Sequence, residues 1–350
     1  MRRIIGKDKN GKKILINVPS YDTIYVNNQF GLQTAYNIAI SSNDSGSAST
    51  PVVPVVSGTQ KAIFGYGTTG GRVSITNLVS NTGVVAIDTT GVGTARSELA
   101  AAGYGTDKAI FGYGYTAATG QTSITNLVSN TGVVATDTTG VGTARYHLAA
   151  ARYGTDKAIF GYGFTFDGAS GPQLNVSITN LVSNTGVVAT DTTGVGSIRR
   201  NLAAAGYGTD KAIFGYGQDN TVGELSITNL VSNTGVVATN TTGVGTARRY
   251  LAAAGYGNDK AIFGYGYTSV NVSMTNLVSN TGVVATDTTG VGTTKYWLAA
   301  AGYGGDKAIF GYGETTNITN LVSNTGVVAI DTTGVGTSRY ALAAAGYSLS

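Results

Sequence analysis

The sequence predicts an all-β fold, a six-bladed β-propeller preceded by a small β-rich N-terminal anchor. Three observations support this prediction. Six near-identical copies of one unit follow each other at spacings of 47 to 54 residues. Each copy carries four short strand-like segments separated by glycine or Asn-Thr-Gly turns. The array also starts in the second segment of a copy and stops just after a first segment, so the two chain ends together supply one complete unit.

The copies share the motif Lys-Ala-Ile-Phe-Gly-Tyr-Gly. It begins at Lys61, Lys108, Lys157, Lys211, Lys260 and Lys307. In the second copy the four segments, named A to D, span residues 99–104, 108–113, 123–128 and 133–137. Helical periodicity is missing from these runs, which are rich in β-branched and small residues. Four antiparallel strands in about 48 residues are typical of one propeller blade.

The ends of the array predict a closed ring. The first copy begins with segment B at Lys61, and the last segment A lies at residues 342–347. The A strand that the first blade lacks is therefore available only from the C-terminal end. Sharing one blade between both ends closes the ring and removes exposed sheet edges.

Composition excludes several classes of protein. Glycine supplies 52 of the 350 residues, 11% of the residues are charged, and cysteine is absent, which excludes disulfide scaffolds, zinc fingers and thiol nucleophiles. His147 is the only histidine, so a site that needs two imidazoles is excluded. No apolar run is long enough to span a membrane. We therefore expect no metal ion, no cofactor, no catalytic residues and no membrane insertion.

The N-terminal part differs from the repeats. We expect a β-rich anchor at residues 1–40 with a hairpin turn at Asn10-Gly11, a polar linker at 41–55, and the propeller at 56–350. The net charge is +4, and residues 1–13 carry six basic side chains against one acidic side chain. A basic arm suits an acidic partner or nucleic acid, and a merely solvated terminus is the simpler alternative. We expect residues 1–60 to bind other structural proteins of a larger assembly, in which the protein is oligomeric, and we expect no nucleic-acid partner.

The invariant side chains of the repeats are predicted to be structural. The aspartate before segment B in the second to sixth copies is expected to pair with the lysine that follows it in the A–B turn. These residues are Asp107, Asp156, Asp210, Asp259 and Asp306. The Asp or Asn of each Asp/Asn-Thr-Thr-Gly run is expected to bond to turn backbone. A metal role is the alternative at both places. Tyr66, Tyr104 and their counterparts, 12 of the 21 tyrosines, are assigned to the framework, and the alanine-rich A segments to a narrow inner wall.

The copies differ in two places. One is the B–C loop, which ranges from four residues at 314–317 to thirteen at 164–176. The other is the D–A junction, which reads Ser97-Glu98, Tyr146-His147, Arg200-Asn201, Arg249-Tyr250, Tyr296-Trp297 and Tyr340-Ala341. Because both connections leave a blade on the same side, variation is predicted to lie on one face of the disc, the variable face. The A–B and C–D turns form the opposite, uniform face.

The variable face is predicted to bind a ligand, because it collects exposed aromatic rings beside arginines, which give contact area at small entropic cost. The predicted binding residues are Tyr115, Tyr146, His147, Phe164, Phe166, Arg200, Arg249, Tyr250, Tyr267, Tyr296, Trp297 and Tyr340. Trp297 is the strongest candidate, and one or two dominant sites are expected because the aromatic residues are unequally distributed. Relaxed drift in loops is the alternative.

Arg145-x-x-Leu148-Ala-Ala-Ala followed by the segment-B motif at Lys157 resembles the kelch repeat, and the resemblance covers residues 61–350. It departs from kelch in its Gly-Tyr-Gly sequence and in the missing tryptophan of the fourth strand. In organisation, near-identical repeats behind a short anchor also resemble virion appendage proteins of bacteriophages, such as tail fibres. That resemblance implies a location in the virion.

We therefore expect a non-enzymatic binding module of a virion appendage that recognises a host surface glycan or protein. A purely structural decoration or adaptor is the main alternative. A sialidase-like enzyme is the other, since six-bladed sialidases use an arginine triad, a tyrosine nucleophile and acids. Their Ser-x-Asp-x-Gly-x-x-Trp repeat signature is missing here.

Overall fold

The computed structural model describes residues 2–7, 13–18, 23–27, 33–37, 60–166, 171–314 and 316–348. The chain forms two compact units, Met1–Val56 and Ser57–Ser350. Strands, turns and bends account for all regular structure in these ranges, which contain no helix. Accordingly, no helix in the described residues has the length and apolar character to cross a membrane.

The first unit contains two antiparallel strand pairs. Arg2–Lys7 pairs with Lys13–Val18, and Thr23–Asn27 pairs with Gln33–Asn37. The predicted turn at Asn10-Gly11 and the predicted linker at 41–55 lie outside the described residues.

The second unit contains six main antiparallel sheets, in each of which a segment A, a segment B and a segment C are neighbouring strands with B in the middle, and three smaller sheets. The A strands are Ala343–Tyr347, Ala100–Tyr104, Ala149–Tyr153, Ala203–Tyr207, Ala252–Tyr256 and Ala299–Tyr303. The B strands are Lys61–Gly65, Lys108–Gly112, Lys157–Gly161, Lys211–Gly215, Lys260–Tyr267 and Lys307–Gly311. The C strands are Thr76–Val79, Thr125–Val128, Thr179–Val182, Thr228–Val231, Asn271–Val278 and Thr319–Val322.

Short strands occupy the loops and junctions at one end of the sheets. They are Arg96–Ser97, Tyr115–Thr116, Gly120–Gln121, Phe164–Phe166, Gln173–Asn175, Gln218–Asp219 and Gly223–Glu224.

Segment D departs from the predicted continuous strand. In the second copy it meets strand C only through the bridges Val128–Val134 and Thr125–Thr138. Three residues of segment D lie between these bridges but only two of strand C, so segment D carries a bulge of one residue. The same two bridges recur in all six sheets.

The chain ends meet in one sheet. The C-terminal strand Ala343–Tyr347 pairs with Lys61–Gly65, with Ala343 opposite Gly65 and Tyr347 opposite Lys61. Each A strand contacts the next, and the contacts run through all six A strands and return to the first. The second unit therefore closes on itself through the pairing of its two ends.

Neighbouring sheets pack closely where a phenylalanine of one sheet lies against a glycine of the other. Phe111 of strand B is fully buried, and a Cβ atom added at Gly65 of the preceding sheet would lie 2.7 Å from its ring. The same relation joins Gly311 to Phe64 across the chain ends. Glycine ends strand B because the ring of the neighbouring sheet fills the space that a side chain would need.

One buried cation per junction ties neighbouring sheets together. Arg145 is fully buried; its Nε donates to the Tyr162 carbonyl at 2.9 Å and its Nη2 to Asn180 Oδ1 at 2.7 Å. Its guanidinium lies 4.3 Å from the ring centre of Tyr113 in the preceding sheet. Its counterparts are Arg96, Arg199, Arg248, Lys295 and Arg339. A buried charge is tolerated here because it is fully hydrogen-bonded.

Of the two predictions about invariant aspartates, the structure confirms the one for the A–B turns and changes the one for the Asp/Asn-Thr-Thr-Gly runs. The A–B turn aspartates pair with the following lysine as expected, for example Asp107 with Lys108 at 2.9 Å. Asp191 does not bond to its own turn. Its carboxylate accepts hydrogen bonds from the backbone N–H and the hydroxyl of Thr143, in the preceding junction, at 3.0 and 2.7 Å. The bulge in segment D and this bond to a neighbouring copy are not visible in a single repeat.

Candidate binding face

The two variable segments of the repeats meet at one end of the sheets. Each D–A junction pairs with the B–C loop of the following sheet, as in the bridges Tyr146–Phe164 and Arg249–Tyr267. In the sixth sheet Glu314 donates its backbone N–H to the Tyr296 carbonyl at 3.1 Å. The residues in which the copies differ therefore lie side by side, and together they form the variable face.

Six equivalent junction residues form a closed cycle of backbone hydrogen bonds, here named the variable cycle. They are Glu98, His147, Asn201, Tyr250, Trp297 and Ala341. Each backbone N–H donates to the carbonyl of the preceding member at 2.8 to 3.0 Å, and Glu98 donates to Ala341. All six have φ between 53° and 59°, in the left-handed region. Glycine adopts this conformation without strain, yet no member is glycine and no two members are the same residue.

The variable cycle surrounds a small cavity of about 70 Å³. Its lining consists of the six cycle residues and the leucine that follows each of them. These leucines, such as Leu99 and Leu148, are buried and belong to every copy. The cavity therefore has an invariant apolar part and a variable polar and aromatic part.

The aromatic side chains of the variable face form one continuous network. It contains Tyr115, Tyr146, His147, Phe164, Phe166, Tyr250, Tyr267, Tyr296, Trp297 and Tyr340. Neighbouring ring centres lie 4.7 to 6.1 Å apart. His147 connects the two halves, since it contacts Tyr146 on one side and Tyr250 on the other.

Arginines flank this network. The Arg200 guanidinium lies 4.5 Å from the ring centre of Phe164. Arg249 lies 5.2 and 5.1 Å from the rings of Tyr250 and Tyr267 and pairs with Glu224 at 3.3 Å. All twelve predicted binding residues thus belong to one connected group of side chains.

The predicted exposure is wrong for two of these residues. Tyr146 and Phe164 are buried, at 9% and 4% exposure, because the pairing of junction and loop places their rings against each other. The other ten are half-buried. Trp297 stacks on Tyr340 with an interplanar angle of 15°, and its indole Nε1 is buried without a hydrogen-bond partner among the described residues.

Sequence reasoning omitted three members of the variable cycle from the binding site, namely Ala341 and two residues with polar side chains, Glu98 and Asn201. Asn201 Nδ2 donates to Gln218 Oε1 at 3.1 Å, while its buried Oδ1 has no partner in the described part of the chain. One signal could have found these residues. The position before the invariant leucine is different in all six copies, although the Leu-Ala-Ala-Ala run that begins directly after it is constant.

Burial makes two ionisable members of the variable cycle unusual. It raises the pKa of Glu98 from 4.5 to about 7, against the opposing effect of Arg72. Burial, assisted by the positive charge of Arg200, lowers the pKa of His147 from 6.5 to about 3. Glu98 Oε2 lies 3.9 Å from His147 Nε2. At neutral pH the imidazole is therefore uncharged, and the carboxyl group is close to its midpoint.

No known family model and no curated protein matches this chain. Among the described residues, no group of three or more His, Asp or Glu side chains is placed to hold a metal ion. The buried junction arginine Arg145 uses its Nε, Nη1 and Nη2 on backbone and asparagine acceptors, whereas Arg339 has a buried Nη2 without a partner among the described residues. In the described residues, the variable face carries aromatic rings, amides, the arginines Arg72, Arg200 and Arg249, and the carboxyl groups of Glu98, Asp219, Glu224 and Glu314.

Proposed function

We propose that the protein is a non-enzymatic binding module that recognises a surface glycan or protein of a host cell through its variable face. The observation that carries the proposal is the variable cycle, in which six equivalent left-handed positions hold six different non-glycine residues. Left-handed backbone at a non-glycine residue costs about 1 kcal/mol or more. The framework tyrosines that bear this cost at φ of 62° to 64° are the same residue in every copy, whereas the cycle positions bear it with six different residues.

We further propose that the six sheets are the blades of a closed, kelch-like β-propeller. Two features support this. The C-terminal strand completes the sheet that begins at Lys61, and the contacts between the A strands run through six sheets and return to the first. A rigid ring of this kind holds six unequal loops in fixed positions around one axis, which is an advantage for recognition.

The chemistry of the face suits glycans and protein surfaces. Half-buried rings such as Trp297 and Tyr250 offer flat apolar area with little entropy to lose on binding. Buried polar atoms without partners, such as Trp297 Nε1, gain a hydrogen bond if a ligand or a small rotation supplies one. The aromatic residues are unequally distributed around the ring, which favours one or two dominant sites over six equivalent ones.

We propose that the module belongs to a phage virion appendage and is attached through residues 1–60. The chain enters the repeats at Gln60, whose carbonyl accepts a hydrogen bond from Gly304 in an A–B turn. This point lies on the uniform face, so an attachment there leaves the variable face free. A chain that lacks residues 1–56 should bind its target but not join its assembly. Incorporation at normal occupancy would contradict the attachment proposal.

A structural role is the second candidate, and one observation favours it. Each C–D turn exposes an invariant valine by about two thirds of its surface, namely Val84, Val133, Val187, Val236, Val283 and Val327. Six regularly placed apolar side chains on the uniform face would suit a docking plane. In that case the protein decorates or connects parts of a particle, and the variable face has no ligand.

A glycan array followed by binding measurements on two variants separates these proposals. Trp297→Ala should weaken binding at least tenfold, as expected for a central aromatic anchor, with little loss of stability, since Ala341 shows that alanine is accommodated in the cycle. Thr131→Ala on the uniform face is the control and should bind normally. Normal binding by Trp297→Ala combined with loss in Thr131→Ala would establish the uniform face as the interface. Turnover of a glycan would support an enzyme, and absence of binding across the array would favour the structural role.

A further inference from the structure

The ends of the A strands and the A–B turns enclose a second cavity, which lies at the uniform face. None of its lining residues belongs to the variable cycle. Its volume is about 310 Å³, and the fourth residue of every A strand lines it. These residues are Gly103, Arg152, Gly206, Gly255, Gly302 and Gly346. Arginine thus replaces glycine in one copy of six, at a position that faces the axis.

The glycines leave room beside this arginine. A Cβ atom added at Gly206 or Gly255 would meet only backbone oxygens, at 3.2 and 3.6 Å. The Arg152 side chain lies toward the other side, where its Cδ is 4.0 Å from the position of a Cβ on Gly103. Apart from chain neighbours, no described side chain lies within 4 Å of a Cβ on Gly206 or Gly255, whereas the Gln60 amide lies 2.7 Å from the position of a Cβ on Gly346.

The walls of this space are rich in hydrogen-bond donors and carry positive charge. The polar side chains that line the cavity are those of Arg152, Lys211, Lys260, Gln60, Thr155, Thr209, Asn258, Tyr207 and Tyr256. No carboxylate belongs to the lining. Lys211 and Lys260 are paired with Asp210 and Asp259 at 3.0 and 2.9 Å, which offsets their charge in part.

Arg152 differs from these lysines. Within the described residues it forms no ion pair, although it is only half exposed and burial lowers its pKa. The nearest opposing influence is the Asp156 carboxylate, whose partner is Lys157 at 3.2 Å. A partly buried guanidinium without a counter-ion, beside open space lined by hydroxyl and amide groups, matches the requirements for binding an anion.

We propose that the cavity at the uniform face is an oxyanion site, in which Arg152 provides the principal charge and the Thr209 hydroxyl and the Asn258 amide provide further hydrogen bonds. The ligand class is a small oxyanion with several acceptor oxygens, inorganic phosphate or the phosphate group of an ester. Lys211 and Lys260 add a positive field on the side where the glycines leave space. This site is independent of any ligand at the variable face.

Titration of the full-length protein with inorganic phosphate tests the proposal, monitored by calorimetry at low ionic strength. Arg152→Gly restores the residue of the other five copies, so it should fold normally while phosphate binding weakens at least tenfold, as expected for loss of a charge-assisted contact. Arg152→Lys retains a charge but loses the forked geometry, and we expect an intermediate affinity. Arg249→Ala on the variable face is the matched control and should leave phosphate binding unchanged.

Two results would overturn the assignment. One is equal phosphate affinity of the wild type and Arg152→Gly, which would show that the lysines or another surface hold the anion. The other is absence of binding in the wild type at millimolar phosphate. Acetate is the comparison ligand, because a group with two oxygens and one charge should bind more weakly than phosphate. If acetate binds with the same affinity as phosphate, the proposed ligand class would be wrong and the site would be assigned to a carboxylate.

Discussion

Two cycles of backbone hydrogen bonds join the six sheets, and they use the same backbone conformation with opposite choices of residue. In the variable cycle, residues with φ of 53° to 59° are Glu, His, Asn, Tyr, Trp and Ala. In the cycle on the uniform face, named the uniform cycle, the donors have φ of 55° to 62°. They are Gly105, Gly154, Gly208, Gly257, Gly304 and Ser348. Glycine is used five times out of six in one cycle and never in the other.

The difference between the two cycles shows that the fold requires a left-handed backbone at these positions but does not require one particular residue. The uniform cycle shows that left-handed backbone at the end of an A strand is satisfied by glycine, the residue with the least strain there. The variable cycle meets the same conformational demand at the beginning of the A strand with six different side chains. Because the hydrogen bonds in both cycles are formed by backbone alone, the fold does not require particular side chains in the variable cycle.

The largest effect is expected from breaking both the uniform cycle and the shared sheet. Deletion of residues 342–350 removes the strand that pairs with Lys61–Gly65 and the Ser348 N–H that donates to the Asp107 carbonyl. An exposed edge and an open ring should lead to aggregation or to a large loss of thermal stability. Size-exclusion chromatography and thermal melting would show this. A chain ended after Ser348 is the control, and melting of the longer deletion at the wild-type temperature would contradict closure.

A change in the framework should affect stability and leave binding intact. Arg145→Ala removes a buried cation and leaves the Asn180 and Asp191 side chains without it, so we expect a loss of roughly 3–5 kcal/mol in the free energy of unfolding. Arg145→Lys should lose less, because Lys295 occupies this position in another copy and donates to Asn320 Oδ1 at 2.7 Å. Urea unfolding measures both values. Equal stability of the alanine variant and the wild type would show that the junction cation is not part of the framework.

The pH dependence of stability should reveal the carboxyl group in the variable cycle. Native Glu98 binds its proton more tightly than the unfolded chain does, so its contribution is fully present below pH 4.5 and is lost as the pH rises to about 7. The loss is up to ~3 kcal/mol by the usual conversion of pKa into free energy. His147 acts in the opposite direction, since its lowered pKa makes stability rise between pH 3 and 6.5.

Comparison with Glu98→Gln separates these two contributions. Unfolding measured in urea at pH 5 and pH 8 should show a fall in the wild type relative to this variant, which has no proton to lose. Parallel pH profiles of the two proteins would mean that the Glu98 carboxyl group is solvated and has an ordinary pKa.

The smallest effects test the residue choice in the two cycles directly. Gly208→Ala on the uniform cycle introduces a Cβ at φ 58°, 2.9 Å from the Asn280 carbonyl, and should destabilise by about 2 kcal/mol. Ala341→Gly on the variable cycle makes the reverse change at φ 53°. It should stabilise by about 0.5–1 kcal/mol, because relief of backbone strain exceeds the added freedom of the unfolded chain. Thermal melting of the pair is sufficient. Destabilisation by Ala341→Gly would remove the strain argument for a functional cycle.

Much of the fold was predictable from one repeat, and most of the site was not. Alternation and turn residues located strands A, B and C, and the invariant Tyr66 and Tyr104 are buried as expected. The order of strands also predicted that the B–C loops and D–A junctions lie together. By contrast, the left-handed backbone at Trp297 and the proximity of Glu98 to His147 depend on bonds between copies, and so does the Thr143 partner of Asp191. No local pattern encodes such contacts.

The pairing of the two chain ends also determines how the molecule responds to force. Strand Lys61–Gly65 is the middle strand of its sheet, held by Ala343–Tyr347 on one side and Thr76–Val79 on the other. Tension applied at Lys61 in the direction of the strand axis acts on this strand first. Its hydrogen bonds to both neighbours are then loaded in shear and must break together, whereas a strand with one neighbour would be held by a single set of bonds. The C-terminal strand therefore works as a mechanical clamp at the point where load would enter.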